Sequence, residues 1–104
     1  MVYGVIYCYY WCGEDDPLYI GKTSGCYSVA SALRARHNCH MHGKTPFDAV
    51  LRIHGAAAFE LRALRVIPAR TATEARSQLK AVEVQAIQQL RPTYNVKFRR
   101  GILA

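Results

Sequence analysis

A chain of 104 residues is the size of one domain, large enough for a hydrophobic core and too small for a second folding unit. With 51% hydrophobic and 20% charged residues it reads as neither disordered nor membrane-embedded, and no apolar run approaches the roughly 20 residues that span a bilayer. Its net charge of +7 favours a polyanionic partner, because each phosphate neutralised by Lys or Arg releases condensed counterions.

The opening Met1-Val2-Tyr3-Gly4 has no positive n-region and no cleavage site, so no signal peptide is expected. The cysteines at 8, 12, 26 and 39 are then expected as reduced thiols of a cytoplasmic protein. A zinc site built from Cys8, Cys12 and Cys39 with His37, His40 or His42 matches no template spacing closely.

Val5-Ile6-Tyr7 and Leu18-Tyr19-Ile20-Gly21 are short runs of β-branched and aromatic residues joined by a turn-rich segment, Gly13 to Pro17, and read as a β-hairpin. Alternation puts Tyr3, Val5, Tyr7 and Tyr9 on one face and Ile6, Cys8 and Tyr10 on the other, one face expected to be core and the other to hold chemistry. Gly21 lets the backbone turn or approach a ligand, and Lys22 follows with a mobile positive charge.

Ser28 caps a helix predicted to run to about His40, with Val29, Ala32, Leu33 and Ala35 as its buried stripe. Arg36 and His40, four apart, share one side of it; Arg34 and His37 form a competing pair three apart. Thr45 caps a second helix with Pro46 at its first position, its Phe47, Val50, Leu51 and either Ile53 or His54 facing inward, ended by Gly55.

A strand is expected from Phe59 to Ile67, ended by Pro68, with Glu60, Arg62 and Arg65 outward and a bulge or buried end where alternation breaks at Leu64. Thr71 and Glu74 form a capping box for the longest helix, to about Leu90 or Arg91, with Ala75, Leu79, Val82, Ala86 and Leu90 as core stripe. Glu83 falls at the edge of that stripe, where a carboxylate is costly unless hydrogen-bonded, bound to a metal or paired, for example with Arg34, Arg36 or Lys80. Pro92 stops the helix and Tyr94–Phe98 can pair as a last strand, followed by the basic edge Arg99-Arg100.

Val5-Ile6-Tyr7 and Tyr19-Ile20-Gly21, with eleven residues between them, resemble the two tripeptides of the GIY-YIG nuclease family, Val5 standing where the family name has Gly. An arginine and a histidine one turn apart on the next helix, His54-Gly55 leading to a strand at Phe59, and a helical Glu83 followed by Pro92-Thr93-Tyr94-Asn95 are similar to the family's later sections, so the resemblance covers nearly the whole chain.

It implies one α/β (α+β) domain over residues 1–104, with a small central, mainly antiparallel three-stranded sheet flanked by helices. It also implies a divalent-metal-dependent DNA endonuclease. In that activity Tyr7 is the general base acting through water, Tyr19 positions the nucleophile, and His40 orients Tyr7 or shuttles a proton. A phenol, with a pKa of about 10, needs a cation nearby to act so, and Lys22 and Arg36 provide that field. Arg36 can also fork onto phosphate oxygens.

Glu83 is the implied ligand of Mg2+, with Mn2+ as substitute, since magnesium accepts one carboxylate and keeps its waters. Asn95 and Gly21 support the site; Arg34, Lys44, Arg99 and Arg100 are the expected DNA contacts. Which tyrosine takes the proton, DNA against RNA, and whether specificity comes from a homodimer or a partner are open at this stage. A catalytically inactive nucleic-acid-binding module of the same fold is the alternative, with a small zinc-stabilised interaction domain a third.

Overall fold

A computed structural model describes residues 2–95, in the order β1 (Val2–Trp11), β2 (Pro17–Cys26), α1 (Val29–Met41), α2 (Pro46–His54), a 3-10 turn (Ala56–Ala58), β3 (Phe59–Ala69) and α3 (Ala72–Leu90). The strands form one antiparallel sheet in the order β2-β1-β3. No helix among the described residues is long and apolar enough to cross a membrane.

β1 is the central strand, and it carries no charged residue over its ten positions. That composition suits a strand covered on both faces, and both are covered. Tyr7 and Tyr9 pack with Leu18, Phe47 and Leu51 under α1 and α2, while Ile6, Cys8 and Tyr10 pack with Ile20, Leu79 and Ile87 under α3. The expectation of one core face and one chemical face is therefore corrected: the tyrosines themselves are core residues, Tyr7 fully enclosed. Val5, in place of the glycine of the family tripeptide, is equally enclosed and pairs with Thr23 and Val66.

β3 carries the expected bulge. Ile6 faces Arg65 and Tyr7 faces Ala63, so Leu64 is the extra residue. The shift reverses the face parity of the strand, which allows Phe59 and Leu61 to join the α1/α2 side while Ile67 joins the α3 side. β3 continues through Pro68 to Ala69 instead of ending before it; as an edge strand it has one side that need not donate to a ladder.

Ser28 caps α1 by accepting from Ser31 N at 3.1 Å, but its stripe is narrower than expected: Ala32 and His40 are buried, and Ala35 is exposed. α2 starts with a reciprocal capping box, the Thr45 hydroxyl on Asp48 N and the Asp48 carboxylate on Thr45 N. Phe47 and Leu51 face inward as expected, whereas Ile53 is 78% exposed and His54 lies at the surface against Trp11.

On α3 the Thr71 hydroxyl caps Glu74 N, but the Glu74 carboxylate accepts from Arg70 N, so the predicted box is only half formed. The buried residues Ala75, Leu79, Glu83 and Ile87 recur every four positions. Glu83 is thus in the middle of the stripe, not at its edge, and Leu90 is exposed. After Pro92, Thr93 N and Tyr94 N donate to Pro17 O and Leu18 O, laying this segment along the outer edge of β2. The rest of the expected last strand, and Arg99 and Arg100, lie outside the described residues.

Candidate active site

Gly21 faces Tyr7 across the β1–β2 ladder, and a Cβ built on Gly21 would collide with the Tyr7 hydroxyl. The absent side chain is what lets the phenol lie over the edge strand. Two side chains of α1 reach that oxygen, backed by one from α2. Arg36 Nε, from α1, donates to it at 3.2 Å. His40 Nε2, one turn further on, lies 2.7 Å away. Behind His40, its Nδ1 stands 2.6 Å from Asp48 Oδ1 at the start of α2.

Arg36 and His40 are therefore the pair that meets Tyr7. The competing residue His37 binds the neighbouring phenol instead, Tyr9 Oη to His37 Nδ1 at 2.8 Å. Arg36 and His40, four apart, share the side of α1 that lies over Tyr7, while His37 projects toward Tyr9. Arg34 is exposed and lines a groove of about 310 Å³ with Tyr9, Leu33, His37, Phe59 and Leu61, beside the Tyr7 site.

Tyr19 stacks its ring on Phe47 at 5.0 Å and 4°, and presents its face or edge to the His40 ring at 5.1 Å and 77°. It is half-buried, and among the described residues its hydroxyl makes no hydrogen bond. The terminal guanidinium nitrogens of Arg36 are likewise uncommitted among the described residues, with the side chain half-buried.

On the other face of β2, Lys22 Nζ lies 2.9 Å from Glu83 Oε1. This is the partner that offsets the carboxylate's burial, in place of Arg34, Arg36 or Lys80. Burial holds both the Tyr7 and the Tyr19 phenols above the ordinary tyrosine range, and the Glu83 charge on the opposite face of the sheet adds a smaller push in the same direction. Arg36 opposes this through its hydrogen bond and charge.

His40 is pushed below the ordinary histidine range by burial, against the pull of Asp48. Its imidazole is accordingly neutral at neutral pH. Asn95 supports the site from outside: Nδ2 donates to Ile20 O at 2.9 Å and Oδ1 accepts from Ile20 N at 2.8 Å, a strand-like clamp on the residue before Gly21. Lys44 is exposed in the α1–α2 turn.

Cys8 is buried in the α3-side core, while Cys12 and Cys39 are exposed; among the described residues no group of three or more His, Cys, Asp or Glu side chains assembles as a metal cage. Asp48 is the residue that sequence reading missed. Its signals were present, a Thr45-x-x-Asp48 pattern eight residues after His40, but that pattern reads as a helix cap alone. Comparison with known proteins returned no matching family model, no matching curated protein and no matching solved structure.

Proposed function

We propose that the chain is a divalent-metal-dependent DNA endonuclease of the GIY-YIG type. The observation that carries the proposal is the meeting of Tyr7 from β1 with Arg36 and His40, one turn apart on α1, at a single phenolic oxygen. A packing tyrosine does not require an arginine and a neutral imidazole on one hydroxyl. A base that must take a proton and hold negative charge does.

A water admitted with substrate past the half-buried Arg36 and Tyr19 side chains would give a proton to Tyr7 Oη, which is enclosed in the free chain, as the phenol's own proton passes to His40 Nε2. The hydroxide attacks phosphorus, the bond to the leaving sugar oxygen breaks with its electron pair, and that oxygen takes a proton from solvent. Transfer to His40 matters because burial keeps the Tyr7 pKa high, so a standing phenolate is not available at neutral pH. Arg36 Nε stabilises the developing charge on Oη, and its terminal nitrogens, uncommitted among the described residues, can fork onto phosphate oxygens. Tyr19 is the candidate to orient the water, its side chain half-buried and its ring against His40.

The donor set fits a hard cation that keeps most of its own water: one carboxylate, Glu83, with a half-exposed ammonium as its partner. Magnesium, or manganese in its place, bound there would supply Lewis-acid stabilisation of charge on the non-bridging phosphate oxygens. A cation held there would replace Lys22 as the partner of the Glu83 carboxylate. The net charge of +7 and the exposed Arg34 and Lys44 favour a nucleic-acid backbone as that substrate.

The test is incubation of supercoiled plasmid, branched DNA and RNA with the chain in magnesium, manganese and EDTA, beside Glu83→Gln. Metal-dependent DNA nicking that falls at least about 100-fold in Glu83→Gln is expected. Salt-sensitive DNA binding with no scission in either metal would instead identify a non-catalytic binding module.

A further inference from the structure

We infer that Asp48 is a positioning residue that fixes His40 in the Nδ1–H tautomer and holds its protonated form when Tyr7 surrenders its proton. The inference rests on the nuclease reading for its catalytic half and on geometry alone for its tautomeric half. An ionised carboxylate has no hydrogen to donate. At 2.6 Å from Asp48 Oδ1, His40 Nδ1 must therefore be the donor, and in a neutral ring Nε2 is then an acceptor. With Nε2 2.7 Å from Tyr7 Oη, the phenol donates to it, and the Arg36 Nε donates to the phenol. One carboxylate thus sets the direction of every hydrogen bond from α2 to the base.

The carboxylate is itself held. Asp48 Oδ2 accepts from Thr45 N at 3.2 Å while Asp48 N donates to the Thr45 hydroxyl at 3.1 Å, so one oxygen serves the helix cap and the other is left for His40. A Cβ built on Gly43 would overlap the Asp48 carboxylate, so the glycine in the α1–α2 turn leaves its space. Asp48 and His40 are 3% and 5% exposed, and no fully buried side-chain polar atom among the described residues lacks a partner. Helix capping alone does not account for this placement, because the more frequent capping-box residue, glutamate or glutamine, reaches back without needing the second oxygen buried against an imidazole.

The groups facing His40 are Tyr7 and Tyr9 from β1, Tyr19 from β2, Arg36 and His37 on α1, and Asp48 on α2. Arg36 and His37 add to burial in disfavouring the imidazolium; Asp48 opposes them. Replacing Asp48 by Asn removes that opposition at nearly constant shape.

The experiment has two readouts on the full chain. Long-range proton–nitrogen NMR on histidine-labelled wild type is expected to show His40 with its hydrogen on Nδ1; a hydrogen on Nε2 would overturn the inference with no variant required. In Asp48→Asn, kcat for plasmid nicking is expected to fall about 100-fold with DNA affinity in EDTA unchanged, and the acid limb of the kcat profile to move to lower pH. A merely structural Asp48 would lower the folded fraction and leave the limb in place, and that result, or wild-type kcat, would refute the positioning role. A wild-type chain that cleaves nothing while His40 carries Nδ1–H would remove the nuclease reading and the catalytic half of the inference, and leave the anchoring by Asp48 supported.

Discussion

Lys22→Met separates the two partners that the account assigns to one carboxylate. In the native chain Lys22 Nζ and Glu83 Oε1 are 2.9 Å apart, with the lysine side chain 35% and the glutamate 7% exposed. Coulomb attraction at that distance is about 6 kcal/mol at an effective dielectric of about 20 and about 1.4 kcal/mol in water. The half-exposed ammonium draws the pair toward the aqueous limit, and solvent reaches part of the gap its removal leaves. The net cost in EDTA is therefore about 1–3 kcal/mol, the range for a buried acceptor deprived of its donor, or about 5–15 °C in Tm for a chain of this size. Magnesium, in the proposed role at Glu83, would then have no lysine to displace. At ten times its Kd it returns about 1.4 kcal/mol, and the Kd itself is lower in the variant, so the magnesium-induced rise in Tm is expected to be larger than in wild type. Thermal denaturation by circular dichroism at pH 8, in EDTA and across a magnesium series, measures both quantities. An unchanged Tm in EDTA, or equal magnesium-induced rises in the two chains, would refute the competition of lysine and cation for Glu83.

Gly21→Ala introduces a Cβ where the Tyr7 hydroxyl lies; the phenol is expected to shift, costing about 1–3 kcal/mol in urea unfolding and at least about 100-fold in kcat, whereas wild-type nicking would show that Tyr7 is not held there. Because the folded state holds the His40 pKa below its unfolded value of about 6.5, the unfolded chain binds this proton first. Stability is then whole above about pH 6.5 and is lost as pH falls toward the folded pKa, with a slope of at most about 1.4 kcal/mol per pH unit; a His40→Gln variant with the same slope in a Tm series from pH 8 to 5.5 would contradict this.

Much of this architecture was legible because the signals are local. The alternation of β1, the caps at Ser28, Thr45 and Thr71, and the break at Leu64 each depend on a few neighbouring residues. The second covered face of β1 was not read from the hairpin, although its ten residues without a charge were a sign of it. Pairings across the chain were harder. Lys22 and Glu83 are 61 residues apart, and nothing in either neighbourhood names the other. Asp48 was hidden because its neighbourhood shows only the cap on α2 and not the histidine its other oxygen meets. The choice between Arg36/His40 and Arg34/His37 needed the placement of α1 over β1, which puts both histidines on tyrosines but only one arginine on Tyr7.

In the proposed nuclease Tyr7 and Arg36 would act as one unit on a phosphodiester. Single-turnover cleavage of plasmid DNA in saturating magnesium by wild type, Tyr7→Phe, Arg36→Ala and the double variant measures it directly. Each single change is expected to lower the rate at least about 100-fold, with the double variant little worse than the poorer single. Losses that multiply in the double variant, or a Tyr7→Phe chain that cleaves at the wild-type rate, would contradict it.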